Sequence, residues 1–327
     1  MRAQDVWYGS GLAARALRAL LTPVSWLYAA GWKSYEAMYA LGLKRAYRPS
    51  VVSLCVGNLT AGGSGKTPVT IHLVNALRRL GATVVVSCSG YRGASESGAS
   101  LAPEGPLSAG QWGDEAALLR DLLPETPLIV GRDRVHAAQI AEREFPDALL
   151  VLDDGFQHLR LHASKYLVLH DPAGKNSRCL PAGPFREPRS GLKRADLVLP
   201  GKFRVSEEPL RYVMGSTGTP LTPKSGQRVA VLCAIGSPER FVAALEAAGI
   251  EIAQKRLLPD HDPLDGGNLL RSFDPGLAIV VTAKDWVKLK SRPDVQQHQF
   301  WVAQQSVAIE PAGSFAEWLR SALASGI

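Results

Sequence analysis

The segment 51–70, VVSLCVGNLTAGGSGKTPVT, constrains the fold more than any other part of the chain. An apolar run typical of a buried strand leads into a glycine-rich loop, which ends in Gly-Lys-Thr where a helix is predicted to begin. Glycines allow tight turns that bring backbone N–H groups close to an anion, and the positive end of the helix points to the same place. This order predicts a phosphate-binding loop, against the alternative of a glycine-rich turn that ends in Gly-Lys-Thr by chance.

Within this loop, Lys66 is predicted to reach the β- and γ-phosphates of a nucleotide, and the Thr67 hydroxyl to ligate Mg²⁺. Thr60 stands where the strict GxxxxGK[ST] pattern has its first glycine. The loop also resembles the deviant loops of partitioning ATPases, although their leading lysine is Ala61 here. The predicted nucleotide-binding residues are Thr60, Ala61, Gly62, Gly63, Ser64, Gly65, Lys66 and Thr67.

From residue 49 onward, apolar strands alternate with helical segments, which indicates a mostly parallel sheet covered on both faces. The polar segment 206–226 shows little periodicity and is typical of a linker, and a second strand–helix series follows it. We therefore predict an α/β fold with a P-loop NTPase-like domain over 49–205, a linker over 206–226 and a smaller α/β domain over 227–327. A cleft between two such domains is a common place for a ligand.

Charge and cysteine content exclude two classes of protein. Residues 1–50 hold seven Lys or Arg against two acidic residues, so five of the seven net positive charges lie at one end. This uneven distribution argues against a nucleic-acid-binding surface spread over the protein. The four cysteines form no CxxC pair and are predicted to be reduced, buried thiols rather than a zinc site or disulfides.

The basic segment 1–48 is predicted to form an amphipathic helix. The uncharged run between Arg18 and Lys33 has 14 residues, fewer than the ~20 that a membrane-spanning helix needs. Apolar residues recur there at helical spacing, with basic residues on the other side. Such a helix either lies in the plane of a membrane or packs on the protein's own core.

Acidic and histidine motifs supply candidates for the chemistry. The strand ALLVLDD ends in Asp153 and Asp154, which either face the phosphate loop and hold Mg²⁺ or form a plain Asp-Gly turn. Asp114 opens a predicted helix and is either its N-cap or a base that accepts a hydroxyl proton. His261 lies in PDHDP, which is either an ordinary polar loop or a place where a carboxylate makes the imidazole more basic.

Together these motifs resemble one family, the tetraacyldisaccharide 4′-kinases, which are the lipid A 4′-kinases of Gram-negative bacteria. The segments that carry the resemblance run in order through nearly the whole chain: LLTPVSWLY, VGNLTAGGSGKTPV, SGYRG, GDEA, GRDRVHAA, LDDGFQH, PAGPFREP, the Asp-His pair at 260–261 and TAKDWVK. In this family Thr60 belongs to the usual form of the loop. The chain departs from the family pattern at Ala116, at Leu264 and in the CSGY segment.

The resemblance implies a reaction and a location. It implies transfer of the γ-phosphate of ATP, with Mg²⁺, to the 4′-hydroxyl of a tetraacylated glucosamine disaccharide 1-phosphate, which gives lipid IVA. It also implies a membrane-associated N-terminal helix that keeps the protein at the cytoplasmic face of the inner membrane. The partners are then the lipid disaccharide and the membrane surface, with no nucleic acid and no obligate protein partner.

The same resemblance implies roles for individual residues. Asp114 matches the catalytic base and His261 its partner across the domain cleft, with Lys66 and Asp154 completing the catalytic set. The metal ligands implied are Thr67, Asp153 and Asp154. Positions that match the substrate side of the site are Tyr91, Arg134, Gln157 and His158.

Two other classes of protein share some of these features. A membrane-cycling switch ATPase of the partitioning type would have the deviant loop and the amphipathic helix, but neither a base for an acceptor hydroxyl nor a second α/β domain. A nucleotide-binding protein without transfer chemistry is the other alternative. The basic run FREPRSGLKR at 185–194 either meets the substrate's 1-phosphate or lipid headgroups, or is a solvated loop.

Overall fold

A computed structural model of the chain describes residues 3–63, 65–90, 98–171 and 174–324. The helices are α1 (Ala3–Tyr8), α2 (Leu12–Ala40), α3 (Lys66–Arg79), α4 (Ala109–Trp112), α5 (Asp114–Leu122), α6 (Arg134–Glu144), α7 (Pro238–Ala247), α8 (Ala283–Leu289) and α9 (Ala312–Ala324). The strands are β1 (Ser53–Asn58), β2 (Val84–Cys88), β3 (Ala99–Leu101), β4 (Leu128–Gly131), β5 (Leu149–Asp153), β6 (Lys165–Leu169), β7 (Leu197–Leu199), β8 (Arg204–Glu207), β9 (Arg211–Met214), β10 (Pro220–Leu221), β11 (Arg228–Cys233), β12 (Glu251–Leu257), β13 (Ala278–Thr282), β14 (Phe300–Gln304) and β15 (Val307–Glu310).

The first sheet has the strand order β3-β4-β2-β5-β1-β6-β7. Its strands pair in parallel apart from β3, which is antiparallel to β4. Every residue of β1, β2 and β5 is buried, because helices cover both faces of the sheet. In the register of β1 and β5, Val56 is opposite Asp153. The loop after β1 and the end of β5 therefore meet at one edge, and the predicted α/β class is confirmed.

Two hydrophobic cores lie on the two faces of this sheet. On one face, α3 contributes Leu73 and Leu77, and α9 contributes Phe315 and Leu319. On the other face, α6 buries its alanine-rich side, and Ala29 of α2 packs at the margin of that core. All four cysteines are buried and free, as predicted.

The second sheet has the order β10-β9-β14-β13-β11-β12. Strands β11 to β14 pair in parallel, β9 pairs antiparallel with β14, and β10 pairs antiparallel with β9. Phe241 and Leu245 of α7 cover one face. Leu264, Leu270 and Phe273, which follow β12, cover the other face.

The segment 206–226 differs from its predicted character. It holds the end of β8 and all of β9 and β10, of which β9 and β10 join the second sheet. The segment is therefore not irregular throughout, and its role as a linker stays a prediction. Strands β9 and β10 are short and lie at or next to the edge of the sheet, so a single charged or polar residue is enough to interrupt the alternation of apolar and polar residues that marks a strand. A polar composition is typical of linkers and of edge strands alike.

The end of the chain packs on the first domain rather than the second. Strand β15 pairs antiparallel with β8, and Phe315 and Leu319 of α9 share a core with Leu54 and Leu77 of the first domain. Residues 307–324 thus depart from the predicted domain over 227–327, because the apolar stripe of α9 fills the face beside α3. The other predicted boundaries stay predictions.

Helix α2 is observed where an amphipathic helix was predicted, and it contacts the protein through a narrow stripe. Ser25 donates to Cys179 O at 2.8 Å and accepts from Ala182 N at 2.9 Å. Larger apolar side chains point away from the protein, since Leu20 and Leu27 are 73% and 74% exposed. Among the described residues, no helix is both long and apolar enough to cross a bilayer.

Candidate active site

The loop between β1 and α3 has an open, glycine-lined backbone. Gly62 and Gly65 adopt φ values of 106° and 72°, a region that disfavours residues with a side chain. Helix α3 begins at Lys66, and no side chain within the described ranges caps it, so its first N–H groups are available to an anion. Ala61 donates to Pro184 O at 2.7 Å and Thr60 forms a bridge with Phe185, which places these two at the base of the loop. Ser64 lies outside the described residues.

A cleft of about 660 Å³ lies between the two domains, beside this loop. The loop residues that line it are Gly62, Gly63, Gly65, Lys66 and Thr67. The facing wall comes from the second domain and includes Asp260, His261 and Lys284. Apolar side chains line another part of the cleft: Ile71, Leu118, Leu122, Ile235 and Phe241. A cleft of this volume with one polar and one apolar part suits a nucleotide-sized ligand.

Asp154 lies between two cations on the wall of this cleft. Its carboxylate is 3.6 Å from Lys66 Nζ and accepts from Arg186 Nη1 at 3.0 and 3.1 Å. Burial raises the pKa of Asp154, but Lys66 and Arg186 outweigh it, and the net pKa is lowered. Asp154 has φ 57°, a left-handed conformation that aspartate tolerates better than most residues. The turn after β5 thereby turns the carboxylate toward Lys66.

Asp153, its neighbour, lies inward and is only 3% exposed. Thr70 donates to Asp153 Oδ1 at 2.9 Å. Burial, followed by the charge of Glu115, raises the pKa of Asp153 to about 7. With such a pKa, both the protonated and the charged form of this carboxylate are populated near neutral pH, and a nearby cation would favour the charged form.

Asp114 and His261 meet across the cleft. Asp114 Oδ2 is 3.5 Å from His261 Nδ1, and both side chains are half-buried. Asp114 is the first residue of α5, whose N-cap is Gly113, so it does not occupy the capping position that was the structural alternative. Burial raises the pKa of Asp114, but the hydrogen bond with His261 and the charges of Lys288 and Lys284 lower it below its usual value. The carboxylate therefore stays deprotonated at neutral pH.

Helix α8 supplies the cations behind this pair, Lys284 from its first turn and Lys288 from its last. Lys284 Nζ is 3.4 Å from His261 Nε2 and 3.4 Å from Asp260 Oδ1. Lys288 Nζ donates to Asp262 O at 2.9 Å and pairs with Asp285 at 3.0 Å. Both lysines hold the loop that carries His261 against α8.

Arg134 does not face the cleft, although the resemblance implied a substrate-side position for it. Arg134 is 2% exposed. Its guanidinium donates to Asp153 O at 2.6 Å and to Ser87 Oγ at 3.1 Å. It thereby ties the ends of β2 and β5 together beneath the site. Its position makes it a residue that shapes the sheet edge.

Gln157 and His158 occupy two different environments. Gln157 Nε2 donates to Asn58 O at 2.7 Å and to Glu187 Oε1 at 2.8 Å. His158 lines a smaller cavity of about 300 Å³ with Arg132, Arg134 and Arg160 among its neighbours. Burial, followed by the charge of Arg134, lowers the pKa of His158 to about 4, so it is neutral at physiological pH. Tyr91 lies outside the described residues.

Two arginines of the basic run at 185–194 form ion pairs within the protein. Arg186 binds Asp154, and Arg194 binds the buried Glu187 and lies 3.4 Å from Glu36. Burial raises the pKa of Glu187, which Arg194 partly offsets. Arg186 also lines the cleft, and contact of the run with the substrate's 1-phosphate or with lipid headgroups stays a prediction.

Fold and site together define a two-domain α/β protein whose cleft has a glycine loop on one wall and, where the two domains meet, a carboxylate–histidine pair. This arrangement is that of an enzyme which brings a nucleotide phosphate to an acceptor group. The chain matches the LpxK family model, described as tetraacyldisaccharide-1-P 4′-kinase, over residues 17–324, and it belongs to that family. The lipid A 4′-kinase activity predicted from the motifs is therefore confirmed.

One solved structure shares the fold over nearly the whole chain. It is the structure described as the "apo" form of LpxK from Aquifex aeolicus in complex with ATP. The two proteins are 24% identical, the match covers 94% of this chain and 99% of that one, and the TM-score is 0.80. The partitioning ATPase alternative required a chain without a second α/β domain, and that domain is present.

Proposed function

We propose that this protein transfers the γ-phosphate of ATP, with Mg²⁺, to the 4′-hydroxyl of a tetraacylated disaccharide 1-phosphate, with Asp114 as the base. The observation that carries the proposal is the 3.5 Å contact between Asp114 and His261, which joins the two domains at the cleft that the glycine loop lines. Phosphoryl transfer depends mainly on positioning and on stabilising negative charge, and this cleft provides residues for both.

The nucleotide is proposed to bind with its phosphates on the loop and its base toward the apolar part of the cleft. The first N–H groups of α3 and the Lys66 ammonium face the phosphate end. Leu118, Leu122 and Phe241 line the apolar end, where the flat face of a base would be shielded from water.

The residues at the sheet edge fit a magnesium ion. Thr67 and Asp154 line the cleft beside the loop, and they offer the hard oxygen ligands that Mg²⁺ takes. Asp153 lies behind them with a pKa raised to about 7, and we propose that it acts on the ion through a water molecule. When bound, Mg²⁺ would neutralise charge on the β- and γ-phosphates.

The acceptor hydroxyl is proposed to enter between Asp114 and the loop. Its oxygen forms a bond to the γ-phosphorus, the bond from that phosphorus to the β,γ-bridging oxygen breaks, and the hydroxyl proton moves to Asp114. His261 holds the Asp114 carboxylate in place through Nδ1. Lys66 faces the phosphates and balances the charge that develops on them.

The exposed side of α2 is proposed to lie on the cytoplasmic face of the inner membrane. Leu12, Leu20, Trp26 and Leu27 are well exposed on or beside this helix, and Leu41 and Leu43 follow it. An amphipathic helix with aromatic and basic residues binds the boundary between headgroups and acyl chains. The acyl chains of the substrate are costly to remove from a bilayer, at about 0.8 kcal/mol per buried CH₂, so a cleft near the membrane favours access.

Replacing Leu20 and Leu27 with serine is expected to weaken binding to anionic lipid vesicles by about tenfold or more per leucine, since each loses the burial of a large apolar side chain. Co-sedimentation with vesicles of phosphatidylglycerol and phosphatidylethanolamine measures this. Leu101→Ser is the matched control, because Leu101 is an exposed leucine on β3. Equal binding of the double variant and the control would exclude α2 as the membrane contact.

The activity itself is tested by incubating the full chain with Mg-ATP and the lipid disaccharide 1-phosphate in detergent micelles. The expected product is a bis-phosphorylated lipid, which mass spectrometry identifies. Lack of that product from folded protein that binds ATP would contradict the proposed transfer and leave only nucleotide binding.

A further inference from the structure

We propose that Lys284 is a positioning residue that holds His261 in the tautomer with hydrogen on Nδ1, so that His261 donates to Asp114 and leaves Asp114 free to accept the substrate proton. This inference rests on the proposed role of Asp114. The observation behind it is a row of four side chains in which Lys284 contacts Asp260 and His261, and His261 contacts Asp114.

The donor and acceptor properties of these groups fix the direction of the hydrogen bonds. An ammonium has three N–H donors and no acceptor, whereas a neutral imidazole has one donor and one acceptor. Lys284 Nζ is 3.4 Å from His261 Nε2, so Nε2 is the acceptor in this contact. The hydrogen of a neutral ring is then on Nδ1, which is 3.5 Å from Asp114 Oδ2.

Asp260 is the group that would favour the opposite tautomer, since its carboxylate could accept from Nε2. Its Oδ2 is 3.9 Å from that nitrogen, which is beyond hydrogen-bonding distance. Its Oδ1 instead faces Lys284 Nζ at 3.4 Å. The lysine therefore lies between Asp260 and the imidazole and donates hydrogen bonds to both.

Lys284 is held in this place by the start of α8. Thr282 is the N-cap of the helix and accepts from Asp285 N. Asp285 Oδ2 in turn accepts from Ala234 N at 3.1 Å, at the end of β11. The first turn of α8 is thus fixed to the sheet, and a lysine at its second position has a defined origin from which to reach His261.

Among the described residues, Asp114 of α5, the adjacent Asp260 and Lys284 of α8 are charged groups that face the imidazole. Lys288 of α8 acts on the Asp114 carboxylate. Loss of the Lys284 charge would raise the pKa of Asp114, because Lys288, Lys284 and the His261 hydrogen bond together outweigh the effect of burial on that carboxylate. Asp114 is active above its pKa, so the acidic limb of kcat/KM would move to higher pH.

The first measurement needs no variant. Selective ¹⁵N labelling of histidine in the full chain, with His261→Gln to assign the signal among seven histidines, reports by long-range ¹H–¹⁵N correlation which ring nitrogen carries hydrogen. The expected result is hydrogen on Nδ1 of His261 at pH 7.5 to 8. Hydrogen on Nε2 in the unmodified protein would overturn the inference.

The second measurement compares three variants. Lys284→Met removes the donor and the charge, and is expected to mix the two tautomers, shift the acidic limb to higher pH and lower kcat by roughly tenfold to a hundredfold. Lys284→Arg keeps a cationic donor and is expected to restore the tautomer and most of the turnover. Lys255→Met, an exposed lysine of β12, is the control, and the melting temperature of each variant shows that it is folded.

The outcomes separate this inference from the proposed function. An unchanged tautomer and pH profile in Lys284→Met, with only the KM for ATP raised, would make Lys284 a phosphate contact and overturn the inference. Full turnover by Asp114→Asn would instead refute the base, while the tautomer measurement on the unmodified protein would still stand.

Discussion

Replacing Asp114 with asparagine is expected to lower kcat by a factor of about 10² to 10⁴, the range that a positioned base contributes. The amide has nearly the same shape and can still contact His261, so the change removes the proton acceptor with little effect on packing. Asp114 lies at the start of α5, while the loop proposed to bind the phosphates lies at the start of α3. The dissociation constant for ATP should therefore stay within about twofold, as measured by calorimetry.

The pH dependence and a control sharpen this result. Since the pKa of Asp114 is lowered, the unmodified enzyme should keep its turnover well below neutral pH until the carboxylate is protonated. The asparagine variant should lack this acidic limb. Asp147→Asn is the control, because Asp147 is an exposed carboxylate in the loop after α6. Near-normal turnover by Asp114→Asn would contradict the role of Asp114 as the base.

Replacing Lys66 with methionine is the second change with a large expected effect, a loss of about 10² to 10³ in kcat. Lys66 Nζ is held by Asn58 Oδ1 at 3.2 Å and by Asp154 at 3.6 Å, so its charge is fixed in place before a nucleotide binds. Unlike Asp114→Asn, this variant should also bind ATP more weakly, because the same ammonium faces the phosphates in the ground state.

The methionine variant has a further effect on Asp154. Lys66 is the first of the cations that lower the pKa of this carboxylate against the effect of burial, so its removal raises that pKa and makes Mg²⁺ binding more sensitive to acid. As the pH is lowered, the Mg²⁺ requirement for activity should rise more steeply in the variant than in the unmodified protein. Lys224→Met, at an exposed lysine between β10 and β11, should match the unmodified protein. Unaltered ATP affinity and turnover in Lys66→Met would contradict the proposed role of this loop in binding the phosphates of ATP.

The parts of the site that could be predicted from sequence are those encoded within a few residues. The glycine loop, the helix after it and the carboxylates at the end of β5 each lie in one continuous segment. The order of residues within each segment is therefore enough to predict its local backbone geometry. The pairing of Asp114 with His261 came from the family resemblance, since 147 positions separate the two residues and no spacing rule spans such a distance. The structure brings them together across the cleft.

Arg186 and Lys284 show what sequence reasoning missed. Arg186 lies in a basic run that reads as a solvated or headgroup-binding surface, yet it faces Asp154, 32 residues earlier in the chain. Lys284 lies in TAKDWVK, a segment that contributed to the resemblance but to which no role was attached. Both act through contacts made by the tertiary fold, and an isolated arginine or lysine has the same local signature in a site as on a surface.

The return of α9 to the first domain has a consequence for how the protein is made. Leu54 and Leu77 are synthesised well before Phe315 and Leu319, which complete their core. The second sheet, whose strands all lie between β8 and β15, has its full complement of strands sooner. The two domains are thus completed in the order opposite to that in which they begin: the glycine loop is made before the second sheet, but the core of the domain that carries the loop is completed after that sheet.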